Sequence, residues 1–440
     1  MCRLLFVLLY VTILVICWRR YASWGISMDN IMLFILFSVM AFGYVYKSLK
    51  RTNPLTPNLA YSIFLFLCGF SFIPLNTTNE SLDIYTLFLL ILSIVFFLTG
   101  LYFGKRIRLT WNFPYFNLSF RLLLFRALVT FSFLIFILEC SNLGYIPILV
   151  MFTSDVYSDM NDNAIPMLHY FVQLSNFLPF FSLIMYKEGV IKRKERNCVI
   201  VISIFIIINC LSRQLLLLSI LSLLLYYLCY KSVSKIKLIS LLMLPVIMFV
   251  VIGSIRLKTI KGDRDDLEYL KDYANTMYEV NLLEVYLGLY STNNFTTFKT
   301  FALRADQDNY RGLGVYSFQP FYTITLLNSF KQFSINPNLN SFASLGTYAI
   351  DPYLDFGIIG IIVMNLFYGV ITSLSYRKYL QRNERWILPY CLLFFCTIMA
   401  AFTNYFNTFF IWFVIIINFL LVNPIKSKCK VANISCGKNM

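Results

Sequence analysis

Two arginines stand where an apolar chain would be expected to avoid charge. Arg213 lies in NCLSRQLLLL (209–218), between two runs that are each apolar enough to span a bilayer. Arg256 lies in VVIGSIRLKTIKGDR (250–264), with Lys258, Lys261 and Arg264 close behind it. A guanidinium is permanently charged and presents a planar fork of donors, which suits bidentate contact with phosphate. Two such groups at the ends of neighbouring helices can converge on one anion, and near a membrane surface that anion is a lipid phosphate or diphosphate. The alternative is that Arg213 snorkels to lipid headgroups and that Arg256 and its neighbours pair with Asp263, Asp265 and Asp266.

Proton-transfer chemistry has few candidates. His169 is the single histidine and opens an apolar run beside Tyr170; Glu139 sits near the end of another. Either could accept a proton from a sugar hydroxyl; either could also be an ordinary interfacial or capping residue. Asp351 and Asp355, at the start of a later run, can hydrogen-bond sugar hydroxyls or pair with an arginine. No carboxylate pair shows glycosidase spacing, and no DxD-like metal motif falls at a plausible position. The acids of 263–268 lack EF-hand spacing and read better as the solvated start of a helix.

The elements that must carry these residues follow from composition. The chain has 440 residues, 59% hydrophobic and 13% charged, with a mean hydropathy of +0.71. No soluble core could bury that much apolar surface, so the sequence specifies an all-α polytopic membrane protein. Twelve runs are long enough to span: 3–18, 28–46, 58–75, 83–104, 120–140, 164–186, 197–212, 214–230, 236–255, 355–375, 386–404 and 407–423. The chain therefore divides into 1–255 with nine spans, a large loop at 256–354, and 355–440 with three spans and a tail. Within the loop, 262–280 has helical period, with Leu267, Leu270, Ala274 and Met277 on one stripe.

The net charge of +16 invites a nucleic-acid reading, but position rules against it. Lys and Arg concentrate in short loops after alternate spans and in the tail, for example Lys105/Arg106/Arg108 and Arg377/Lys378/Arg382/Arg385. Short loops on the other side, such as NTTNESLD (76–83) and NYFNT (404–408), carry no cations. The positive-inside rule then places both termini in the cytoplasm and directs Arg213 and the large loop outward. Arg19-Arg20 departs from this pattern, so the first hairpin is the least constrained. The run at Leu4–Trp18 lacks a small-residue cleavage site and reads as a span rather than a signal peptide. The eleven cysteines form no C-x-x-C pair, and most lie in apolar runs as small hydrophobes.

The depth of Arg213 sharpens its meaning. The span before it, 197–212, is about 24 Å long at 1.5 Å per residue, against a hydrocarbon core of about 30 Å. The turn carrying Arg213 is thus recessed, and a recessed charge costs about 2–3 kcal/mol unless it finds a partner.

Taken together, SRQLLLL (212–218), Arg256 after the next span, the large outer loop, SLGTY…YLDFGIIG…YGV (344–370) and GYIP (144–147) make the chain resemble the O-antigen polymerases. These extend surface polysaccharide from undecaprenyl-diphosphate-linked repeat units. The resemblance covers most of the chain, through motifs that are individually weak. It implies about twelve transmembrane helices and one large, partly helical periplasmic loop in the inner membrane. It also implies metal-independent glycosyl transfer with no cofactor, undecaprenyl-diphosphate-linked oligosaccharide and membrane lipid as ligands, and a chain-length regulator protein as partner; nucleic acid has no place. Arg213 and Arg256 would hold the diphosphate as the catalytic pair, Lys258, Arg264, Tyr290, Tyr348 and Asp355 would contact substrate, and Glu139 or His169 would be the base. Related O-antigen ligases carry a catalytic histidine late in the large loop, and this sequence has none there. A lipid-linked oligosaccharide flippase is the main alternative class, although few polar residues, such as Arg126 and Asn365, lie mid-span. An ion-coupled transporter is weakened by the lack of a membrane-centre carboxylate.

Overall fold

In a computed structural model of the chain, the described residues are 28–49, 55–70, 72, 84–107, 114–150, 159–160, 163–210, 212–230, 265–274, 282–324 and 346–423. Among them every regular element is helical. In order these are α1 (Met28–Leu49), α2 (Pro57–Phe70), α3 (Ile84–Arg106), α4 (Leu118–Leu143), α5 (Pro147–Val150), α6 (His169–Leu174), α7 (Leu178–Lys187), α8 (Arg193–Cys210) and α9 (Arg213–Tyr230). Then come α10 (Asp266–Ala274), α11 (Leu282–Gln307), α12 (Gln319–Ile324), α13 (Ile350–Leu380), α14 (Ile387–Ile398) and α15 (Phe409–Leu421).

Six helices among the described residues are long and apolar enough to cross a membrane: Asp29–Ser48, Ile84–Arg106, Leu118–Leu143, Arg213–Tyr230, Ile350–Leu380 and Glu384–Ala401. Pro57–Phe70, Leu178–Lys187 and Phe409–Leu421 are shorter apolar helices. The expected spans 3–18 and 236–255 lie outside the described residues. The expected span 164–186 is two helices, α6 and α7, separated at Ser175–Phe177. Pro179 sits in the first turn of α7, where its missing N–H leaves no helical bond unmade.

Glycine sets the tightest crossing. A Cβ on Gly100 of α3 would lie 2.2 Å from the Leu366 carbonyl oxygen, and one on Gly369 of α13 would lie 2.2 Å from that of Phe97. Gly104 faces Ser373 one turn on, where an added Cβ would lie 2.7 Å from the Ser373 Cβ. Small residues four apart on both helices let the backbones touch, which substitutes dispersion and weak contacts for the hydrophobic drive that lipid removes. Around this pair, α14 is enclosed: Leu388, Tyr390, Cys391 and Leu392 are fully buried, and the helix packs on α2, α9 and α13. The Tyr390 hydroxyl donates to the Leu55 carbonyl at 2.8 Å, satisfying its polar end inside the core.

Chain reversals sort the helix ends between two ends of the bundle. Lys105, Arg106, Lys187, Arg193, Arg377, Arg382 and Arg385 gather at one end of the bundle. The ends of α4 and α8, the starts of α6, α9 and α13, and the connection 399–408 gather at the other. The cation-rich end is fastened by ion pairs. Arg121, 4% exposed, bonds Glu188 and donates through Nε to the Leu421 carbonyl at 2.6 Å. Lys187 pairs with buried Glu384 at 2.6 Å. Arg385 donates to the carbonyls of Pro114 and Phe419. Burial pushes the Glu188 carboxyl up from its ordinary value, while the Arg121 hydrogen bond draws it down.

Candidate functional site

The cation-poor end holds a cavity of about 200 Å³. One wall is α6, with His169, Tyr170 and Gln173; another is the α8–α9 turn, with Cys210, Ser212, Gln214, Leu215 and Leu218; Met160, Phe395, Tyr405, Thr408, Phe410 and Ile411 complete the lining. That volume is below the roughly 300–1,000 Å³ of pockets that enclose a whole small-molecule ligand. It suits one ring or one hydroxyl-bearing end of something larger.

Three of the polar lining residues, Gln214, Tyr405 and His169, are held by specific contacts. The Tyr405 hydroxyl donates to Gln214 Oε1 at 2.5 Å, tying the start of α9 to the 405–407 turn. The α6 wall is fixed by a pair thirty residues apart. His169 Nδ1 lies 3.0 and 3.1 Å from the two carboxylate oxygens of Glu139, which also accepts the Ile165 N–H at 3.3 Å. Glu139 is 2% exposed, so it needs these donors to remain buried. With Nδ1 engaged by a carboxylate, Nε2 is the ring's remaining nitrogen, and among the described residues it takes no hydrogen bond. Arg213, half-buried, is the first residue of α9 and stands between cavity-lining Ser212 and Gln214, though it is not itself in the cavity wall.

A second polar layer lies beside the cavity, where 306–318 straps across a kink in α13. Gly357 adopts φ +60° and ψ −140°, a region that favours glycine, and interrupts the helix. The freed carbonyls of Leu354 and Asp355 instead accept the N–H groups of Gly312 (2.9 Å) and Leu313 (3.3 Å). The Asp355 carboxylate accepts the N–H groups of Tyr316 (3.2 Å) and Ser317 (2.5 Å). Arg311 bonds Asp306 at 2.7 Å, and Asp306 accepts the Tyr353 hydroxyl at 2.6 Å, which lies 2.7 Å from that of Tyr85. Asn407 bonds Asp351 at 3.2 Å and accepts from Tyr368 at 2.7 Å. Burial and the neighbouring Tyr310 raise the Tyr316 phenol above its ordinary value.

The expected site residues thus separate. Glu139 and His169 are brought together. Arg213 is brought to the same end, beside the cavity. Asp355 is fully buried and its carboxylate organises the strap rather than facing open space. Tyr348 is 1% exposed, edge-on to Phe64 and Phe97, and is part of the core. Tyr290 is in α11, with its side chain outside the described residues; Arg256, Lys258 and Arg264 lie outside them altogether. Gln214, Tyr405, Asp306 and Arg311 were missed. Gln214 had a signal, because it follows Arg213 directly. Arg311 had none beyond its proximity to Gly312 and Gly314.

Among the described residues the chain is an all-helical transmembrane protein, with a small, largely apolar cavity that carries a few polar side chains at its cation-poor end. Searches against protein-family models, curated proteins and solved structures find no match to the chain.

Proposed function

We propose that this protein is a membrane glycosyltransferase. It joins lipid-diphosphate-linked oligosaccharide units into a longer chain, as its resemblance to the O-antigen polymerases implies. The observation that supports this reading is the convergence on one small cavity of a histidine–carboxylate pair and the turn bearing Arg213. The departing diphosphate gains negative charge as the glycosidic bond forms. A fixed guanidinium in a poorly hydrated site stabilises that charge without reorganising. In this reading Arg213 acts with Arg256, the sugars lie toward the large loop, and membrane lipid carries the substrate's tail. The cavity would open to the periplasm, with both termini cytoplasmic in the inner membrane and a separate regulator setting chain length. Direct attack by the acceptor hydroxyl inverts the anomeric centre.

Deleting the gene and separating the cell-surface glycan on a gel tests this reading. Single-repeat products in place of a long-chain ladder support it. Loss of surface glycan with intermediates trapped in the cytoplasm would instead indicate a flippase, and polymer left on its lipid would indicate a ligase.

A further inference from the structure

We propose that His169 is the general base that deprotonates the acceptor hydroxyl, and that Glu139 is the positioning residue that holds its ring. This inference rests on the glycosyl-transfer reading and adds to it the atom that receives the proton. The geometry restricts the choice. Glu139 is buried behind the histidine, and both its oxygens are engaged by Nδ1, one of them also by the Ile165 N–H. Glu139 is not among the residues that line the cavity, whereas His169 is. A carboxylate on Nδ1 fixes that nitrogen as the proton carrier and leaves Nε2 its lone pair. The same carboxylate stabilises the imidazolium that forms when Nε2 takes a proton.

The step balances as follows. The acceptor hydroxyl oxygen forms a bond to the donor's anomeric carbon. The bond from that carbon to the diphosphate oxygen breaks, and its electron pair leaves with the diphosphate. The hydroxyl proton passes to Nε2 of His169 and is then released to water. Gln214 and Tyr405, joined by their 2.5 Å hydrogen bond in the cavity lining, present polar atoms that orient the acceptor ring. The cavity accommodates the acceptor's terminal sugar and leaves the remaining residues outside.

The test uses the full-length protein in lipid nanodiscs, supplied with a lipid-diphosphate-linked repeat unit, with elongated product followed by gel or mass spectrometry. His169→Ala is expected to lower the maximal rate by about a hundredfold or more, the usual contribution of a general base. Free imidazole should restore part of that rate. Glu139→Gln is expected to lower the maximal rate with little change in the concentration of lipid donor that half-saturates it, and Glu139→Asp should recover much of the loss. Size-exclusion profiles of the variants report whether they remain folded. If His169→Ala is monodisperse and as fast as wild type, the inference is overturned while the transferase reading stands. A slow variant that imidazole does not rescue, or a misfolded one that His169→Gln repairs to full activity, also overturns it. Absence of any product from the wild-type protein removes the transferase reading and this inference with it.

Discussion

Each end of the bundle buries a glutamate against a basic side chain, and the two pairs differ in what they leave over. At the cation-rich end, Glu188 meets Arg121, whose Nε is also taken by the Leu421 carbonyl, and Glu384 meets Lys187. Donors there are used to lash α4, α7, the start of α14 and the end of α15 together. At the other end, Glu139 meets His169 through Nδ1 alone, and His169 lines a cavity. An arginine is always charged and always a donor, so it makes a permanent fastening. A histidine can lose and regain a proton near neutral pH, so the same kind of pairing leaves a group able to react.

The contrast makes the cation-rich end a matter of stability and the opposite end a matter of chemistry. The largest stability effect is expected at the former. Arg121→Met strands Glu188 and an acceptor on α15, and breaking a buried pair from one side costs about 3–5 kcal/mol. The melting temperature of the purified protein should fall sharply, while the activity of each surviving folded molecule stays close to wild type. Adding Glu188→Met should recover much of the loss; failure to recover would mean that the pair does more than fasten.

A smaller effect is expected from Asp355→Asn, which weakens two bonds from strap N–H groups to a carboxylate. Hydrogen bonds to charged groups are worth about 1.5–3 kcal/mol. Amide exchange in 312–317 should speed up before the rest of the protein loosens. Uniform exchange across α13 and the strap would show that the kink is held by other contacts. Smallest is Tyr405→Phe, which removes the single hydroxyl bonded to Gln214 and should cost about 0.5–1.5 kcal/mol. Its melting temperature should barely change while glycan elongation drops. The reverse pattern would move Tyr405 to the fastening side of the comparison.

The helices were legible where a single physical signal dominates. The runs 83–104 and 120–140 are long and apolar and correspond to α3 and α4; α3 ends in charge, and the Asn117 side chain caps α4 by accepting the Phe120 N–H at 2.7 Å. The break at Ser175–Phe177 was hidden because apolar residues continue on both sides; only Asn176 and Pro179 mark it. Helix α11 carries buried Phe295, Phe298, Ala302 and Ala305 at helical spacing, yet its Ser, Thr and Asn content makes it read as loop. Of the site, Arg213, His169 and Glu139 were legible as residue types out of place in apolar surroundings. That the last two touch was not, since a contact across thirty residues depends on how α4 and α6 pack. The Asp355 role was equally hidden, because it depends on a backbone kink at Gly357 and on a strap nearly forty residues earlier in the chain.

The central claim is that a guanidinium at the α8–α9 turn serves lipid-diphosphate chemistry in the adjoining cavity. Elongation of a lipid-diphosphate-linked repeat unit by nanodisc-embedded Arg213→Ala tests it most directly, with wild type and Arg213→Lys alongside. The account predicts no polymer from the alanine variant, a strongly reduced rate from lysine, and unchanged folding of both. Wild-type elongation by a folded Arg213→Ala protein would contradict it.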